Sequence, residues 1–266
     1  MTELPTDLVH RLQHWTVRQP TISAFDLAEY MVAPEGQREA IVRRSRFPAA
    51  MRAPSPAEAR FEICRHLTGE LSAEHLARKA AAMRTRLVAR ETDYVRNRLN
   101  ADGIDGFQSR IGDGALPACR RQMQIETHPV YLEGVKVTAD IPLRLDKTTA
   151  AGRMRLGGLV LRFGRGIMAG PETAQWLSSF VHGYLRQTST AGNADIGHNL
   201  CLVADIGAAR LFKAPTDAIS RYKAMQAACA DIAGQWRMLA PPRPAARQLD
   251  DLVRLTSEQS TRLTPA

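Results

Sequence analysis

Val135-Lys136-Val137-Thr138-Ala139-Asp140-Ile141-Pro142-Leu143-Arg144-Leu145-Asp146 alternates apolar and polar residues from end to end. A period of two is the pattern of a half-buried strand. Val135, Val137, Ala139, Ile141, Leu143 and Leu145 share one face, and Asp140 lies on the other. Pro142 cannot donate to a ladder and marks an edge or a bulge. Before the stretch, Glu133-Gly134 reads as a hairpin turn out of a strand over residues 124–132. After it, residues 148–152 form a turn and residues 153–163 a second strand. Pro171 fits the first position of a helix, with Glu172 favourable in the first turn. Trp176, Leu177, Phe180, Val181, Tyr184 and Leu185 give that helix, over 171–187, a broad buried stripe. A short apolar strand follows at 200–206, with a hairpin extension at 210–214. Pro215 opens a last helix carrying Ile219, Tyr222, Met225, Cys229, Ile232 and Trp236 on one side. Pro241-Pro242-Arg243-Pro244 stops the fold, leaving a polar tail.

The chain before residue 100 reads as helical. Residues 21–32 form a helix capped by Ser23 with Asp26 in its first turn, ended by Pro34, and a basic helix follows over 35–46. A Pro-rich connector covers 48–56. The helix at 58–67 places Phe61, Cys64 and Leu67 on one face. From Ser72 a single long helix runs to about residue 100, with Leu76, Ala80, Met83, Leu87 and Tyr94 recurring at helical spacing. Its other faces carry arginines, Arg84 and Arg90 among them. Residues 100–117, rich in Gly and Asp, read as a loop or a broken helix. The expected organisation is a helical region at 1–117, an α/β core at 118–240 and a tail at 241–266. The expected fold class is α/β: a mixed central sheet with an antiparallel meander, then a right-handed crossover through the helix at 171–187.

Composition limits the function. The 266 residues suffice for a full core, and the 44% hydrophobic content is that of a globular protein. The net charge is +9, and arginines supply 31 of the 36 basic residues. Such a surplus favours anionic partners, nucleic acid first. Cys64, Cys119, Cys201 and Cys229 form no CxxC pair, so no zinc or thioredoxin-type motif is supported. The first fifteen residues lack an apolar signal core, and no run reaches the length of a membrane span. No membrane partner and a reducing cytoplasm are expected.

The order strand, turn, strand, helix, with an aspartate on the first strand, resembles the core of the PD-(D/E)XK nucleases, in particular the RecB-like branch. The resemblance covers roughly residues 120–240, and the opening Ile22-Ser23-Ala24-Phe25-Asp26-Leu27 is similar to the helical start of such proteins. It implies a restriction-endonuclease-like core, with Asp140 as the first acid and Gln175 and Tyr184 on the following helix. A metal nuclease needs acidic oxygens to hold Mg²⁺ and a lysine or base beside the attacking water. The second strand of this branch ends in a form such as Asp-Tyr-Lys-Thr-Gly. Here the chain reads Leu161-Arg162-Phe163-Gly164-Arg165-Gly166, so Arg162 replaces the acid and Gly164 the lysine. Some members carry an iron–sulfur cluster with a cysteine before an early proline, where this chain has Ala33 before Pro34. Neither Mg²⁺ nor an iron–sulfur cluster, nor any other cofactor, is expected.

The function these residues imply is a catalytically degenerate nuclease-like protein that binds nucleic acid or a nucleic-acid-processing partner. Arg162, Arg165, Arg84 and Arg90 are the candidate contacts. One alternative is an active metal-dependent nuclease, in which Glu126 or Glu133 from another strand completes a site with Asp140. Another is a protein-interaction module with no nucleic-acid role. The turn Gly164-Arg165-Gly166-Ile167-Met168-Ala169-Gly170 also follows a strand and precedes a helix, with Asp205 ending the next strand, as a dinucleotide site would require. The interval from Gly164 to Asp205 is long for that role. His10 and His14 stand four apart on a helix without the glutamate of a metalloprotease motif. His128, His182 and His198 meet only if tertiary structure brings them together.

Overall fold

The structure is a computed structural model, described over residues 16–48, 55–124, 127–164, 170–189 and 195–240. Two sheets organise it. The larger has five strands in the order β2 (Arg120–Met123), β5 (Leu143–Thr148), β6 (Met154–Arg162), β7 (Asp195–Asp205) and β8 (Arg210–Lys213). The smaller has three, β1 (Thr21–Ser23), β4 (Val135–Thr138) and β3 (Val130–Leu132). In the larger sheet β6 and β7 are parallel, joined through a helix at Pro171–Thr188, and the other pairings are antiparallel. The fold is therefore α/β with mixed sheets.

The seven α-helices among the described residues are α1 (Ala24–Val32), α2 (Glu35–Arg46), α3 (Ala57–Leu67), α4 (Ala73–Thr85), α5 (Glu91–Arg110), α6 (Pro171–Thr188) and α7 (Ala218–Trp236). They lie on both faces of the five-stranded sheet. Cys201 and Val203 of β7 point into a core shared with α1, α2, α6, α7 and the small sheet. Leu200, Leu202 and Ala204 point the other way, into a core shared with α3, α4 and α5. A strand segment buried on both faces without polar partners is apolar throughout, which is why residues 200–204 carry no alternation.

Residues 135–146 are not one strand. β4 ends at Thr138, and β5 begins at Leu143 in the other sheet. Val135, Val137 and Ile141 fill the first core, whereas Leu143 and Leu145 fill the second. The chain crosses between layers at 139–142, and Pro142 is where pairing stops. The Pro142 carbonyl instead accepts from Gln124 N (2.8 Å), and Ile141 N donates to Thr127 Oγ1 (3.2 Å). Of the strand expected over 124–132, only Val130–Leu132 is a strand among the described residues, as β3, and β2 lies before it at Arg120–Met123. The Glu133-Gly134 hairpin is present, with φ of 45° and 81°, the pair of positive angles that a two-residue turn needs.

The helical half differs from its reading in three places. Thr21–Ser23 is a strand paired parallel to β4, and the helix starts after it. Ser23 is its cap, accepting from Asp26 N at 3.0 Å. The single helix expected from Ser72 breaks between Thr85 and Glu91, and residues 100–110 belong to α5 rather than to a loop. Gly103 and Gly106 have packing reasons: a methyl at either would come within 2.9 Å of Phe163 or Ile206, respectively. This close approach offsets the roughly 1 kcal/mol that a helical glycine costs. Phe61, Leu87, Tyr94 and Ile219, expected on buried stripes, are exposed.

Candidate functional site

The C-terminal end of β6 opens onto a cleft of about 450 Å³, and the residues just after its parallel neighbour β7, Ile206 and Gly207, line an adjoining cavity. Crevices beyond the carboxyl ends of parallel strands are the usual ligand positions in α/β sheets. Several elements supply its walls. Arg162 and Phe163 come from the end of β6, Asp140 from the crossing between the sheets, Arg60 from the first turn of α3, and Phe25 from the first turn of α1. Leu177, Phe180 and Val181 of α6 form an apolar floor. A second cavity of about 850 Å³ adjoins the cleft and shares the walls Pro56, Phe163 and Gly164.

Two ion pairs fill the polar part of the site. Arg162 Nη1 donates to Asp205 Oδ2 at 2.6 Å, with the side chains 13% and 1% exposed. The two residues are register partners on β6 and β7. Asp205 Oδ1 also accepts from Ala208 N at 2.9 Å, so both carboxylate oxygens are engaged. The Arg162 guanidinium lies 4.4 Å from the centroid of the Phe25 ring, within the range of a cation–π contact. The second pair joins Arg60 to Asp140, whose side chains are 28% and 56% exposed. Arg60 also lies 5.9 Å from the Phe163 centroid. One pair is thus sealed and the other faces solvent. Nearby, burial pushes the Cys64 thiol up to about 12, and the charge of Asp140 adds to the effect. That thiol stays protonated and is no nucleophile.

The described residues of the cleft do not fit a divalent cation, with Asp140 the single carboxylate among its described walls. Asp140 is held by the Arg60 guanidinium, and a second guanidinium, that of Arg162, belongs to the same cleft. Among the described residues, no group of three or more His, Cys, Asp or Glu side chains converges to hold a metal ion.

Of the residues singled out from sequence, Asp140, Arg162 and Gly164 come together in the cleft. Arg165 and Glu126 lie outside the described residues, as do His10 and His14. Glu133 sits at the hairpin tip, at the far end of β4 from the cleft. Gln175 is half-buried on α6, outside the cleft walls, and its carbonyl accepts from Ser178 and Ser179. Tyr184 is a core residue whose hydroxyl donates to the His128 carbonyl at 3.1 Å. Asp205, the acid of the dinucleotide reading, is buried against Arg162. Arg84 is engaged by Asp102 (3.2 Å) and Asp105, which tie α4 to α5. Arg90 is exposed at the start of α5. His182 and His198 do meet, as stacked rings 4.3 Å apart, between α6 and β7. Burial lowers the His182 pKa to about 4, and His198 and Arg186 push it the same way.

Nothing in the sequence marks Arg60, because a lone arginine on a short helix has no pattern of its own. Phe25 and Phe163 were visible only as neighbours of quoted motifs. Only the tertiary fold reveals that each carries a guanidinium. No protein-family model matches this chain, and no curated protein is similar to it in sequence.

Proposed function

We propose that the chain is a nuclease-like protein with a restriction-endonuclease-like core, whose cleft binds the phosphates of a nucleic acid without cleaving them. The observation that carries this reading is the use of guanidinium groups where a nuclease would hold a metal: Arg60 on Asp140, and Arg162 on Asp205. The order β5, β6, α6, β7, with β6 and β7 parallel, supports the same reading. As built, the site is close to neutral. Phosphate enters by exchange, and the exposed pair is the one that exchanges. Arg60 leaves Asp140 and takes a phosphate oxygen, while Arg162 stays fixed by Asp205 and its ring contact. A guanidinium forms strong charge-assisted hydrogen bonds with either anion, so the exchange conserves its bonding. The chain's positive charge draws the ligand in.

The test is an oligonucleotide titration in rising salt. Affinity is expected to fall linearly in a double-logarithmic plot. Arg60→Ala is expected to weaken binding and to reduce the slope by about one phosphate contact. Absence of binding at low salt would remove the reading.

A further inference from the structure

Exchange of Arg60 from Asp140 to a phosphate accounts for the charged rim of the cleft but not for its apolar interior. Phe25, Ala139, Val160 and Phe163 all line the cleft, and each is only partly buried. Val160 lies on β6, the middle strand of five, and its register partner Val203 on β7 is fully buried. A side chain at the centre of a sheet keeps accessible surface only where nothing packs over it. The cleft therefore reaches down to the sheet itself. Leu177, Phe180 and Val181 of α6 close it from the side of the helix.

A bare phosphate would satisfy Arg60 and leave these apolar walls in water. The cleft's volume of about 450 Å³ is that of a site for a small molecule, lined as such sites are by apolar groups with a few polar ones. Its complement is an anion joined to a flat or apolar body. Arg162 is fixed by Asp205, so Arg60 decides where the anion goes. The Arg60 guanidinium lies 5.9 Å from the centroid of the Phe163 ring, so a body attached to that anion meets the apolar walls. Resting on the nucleic-acid reading above, we propose that the cleft holds one unpaired nucleotide, with its phosphate on Arg60 and its base among Phe25, Ala139, Val160 and Phe163. Bases gain affinity against such walls whatever their sequence, because every base has an apolar face. A base inside a duplex is stacked on both faces and paired along its edge, and it enters only if it is first drawn out. The protein therefore selects single strands over duplexes.

The probe is fluorescein-labelled oligothymidylate, bound to the full chain at low salt and followed by anisotropy. The competitors are thymidine 5′-monophosphate, inorganic phosphate, unlabelled oligothymidylate and a duplex of equal length. The monophosphate is expected to compete at concentrations about tenfold below inorganic phosphate, which has the same anion without the base. The single strand is expected to compete at lower concentrations than the duplex. A strand stronger than the monophosphate marks an unpaired stretch of nucleic acid as the source of the nucleotide, and equal strength marks the free nucleotide; both outcomes support the site. Ala139 lies in the crossing between the sheets, outside any strand. Ala139→Trp fills the apolar space without touching Arg60, so it should weaken the monophosphate about tenfold and leave inorganic phosphate unchanged, with its urea midpoint showing that the variant is folded. The competition on the parent protein decides the matter even if that variant is unstable. Binding of the strand with equal competition by monophosphate and inorganic phosphate, or by strand and duplex, overturns the proposal and leaves the phosphate-binding reading standing. No binding of the labelled strand removes that reading, and the proposal with it.

Discussion

Arg162 and Asp205 end two parallel strands side by side, and the guanidinium donates to a carboxylate that is 1% exposed, across 2.6 Å. A charge this deeply buried is tolerable only with its partner in place. Arg162→Ala should therefore cost about 3–5 kcal/mol, because it strands Asp205 in the core. The double variant Arg162→Met/Asp205→Leu should regain most of that loss, since apolar replacement of a buried pair is often neutral or better. Urea denaturation of the three proteins measures both effects. Equal losses in the single and double variants would show that shape, and not the charge, matters there.

The exposed pair behaves differently. Removing the Asp140 charge should change stability by less than about 1 kcal/mol, as for most solvated ion pairs. Asp140→Asn frees Arg60 from its internal competitor, so oligonucleotide affinity should rise severalfold. The comparison is an anisotropy titration of the variant against the parent protein at one salt concentration. Unchanged or weaker binding would show that Asp140 is not the group a phosphate displaces.

Burial of His182, and next the charge of His198 stacked on it, makes stability pH-dependent. The folded-state pKa of His182, about 4, lies below the ordinary value of 6.5. As pH falls through this interval the unfolded chain takes up a proton that the folded chain refuses, so stability is lost between about pH 6.5 and 4 and levels off below that. The loss could reach roughly 3 kcal/mol. Besides His198, the charged groups acting on the ring are Arg186, which opposes protonation, and Asp195, which favours it. Urea midpoints measured against pH should slope across this window in the parent protein and flatten in His182→Gln.

Two helical glycines should respond oppositely to alanine. A methyl at Gly183 of α6 would run into the Tyr222 ring of α7, so Gly183→Ala should destabilise by about 1–3 kcal/mol through overpacking. Gly234 of α7 has open space around its Cβ position. Gly234→Ala should stabilise by up to about 1 kcal/mol through helix propensity alone. Thermal or urea unfolding of the pair checks whether the α6–α7 contact is as close as it stands.

Most elements were legible because their signals are local. Ser23 caps its helix, Pro171 starts another, and Glu133-Gly134 makes its hairpin, each through chemistry confined to a few residues. Where the reading failed, the deciding interaction was distant. The stretch 135–146 keeps a strand's alternation across a change of sheet, because two different cores happen to demand the same pattern. Gly103 and Gly106 read as helix breakers until Phe163 and Ile206 are seen against them. Across the break after Thr85, ion pairs run from Arg84 to Asp102 and Asp105, and from Arg86 to Glu58 on another helix, contacts that no local pattern announces. The candidate site follows the same division. Arg162 was visible from its strand position and Asp140 from an alternation that turns out to span a crossing between sheets, whereas Arg60 and the pairing of Arg162 with Asp205 arise only when strands and helices assemble.

The most direct measurement is incubation of labelled single- and double-stranded oligonucleotides with the protein and with Asp140→Asn, in Mg²⁺ and Mn²⁺, following binding and strand integrity in the same samples. The expected result is salt-sensitive binding by both proteins, tighter for Asp140→Asn, with every strand intact. Metal-dependent cleavage by the parent protein that disappears in Asp140→Asn would contradict the account and make Asp140 a metal ligand.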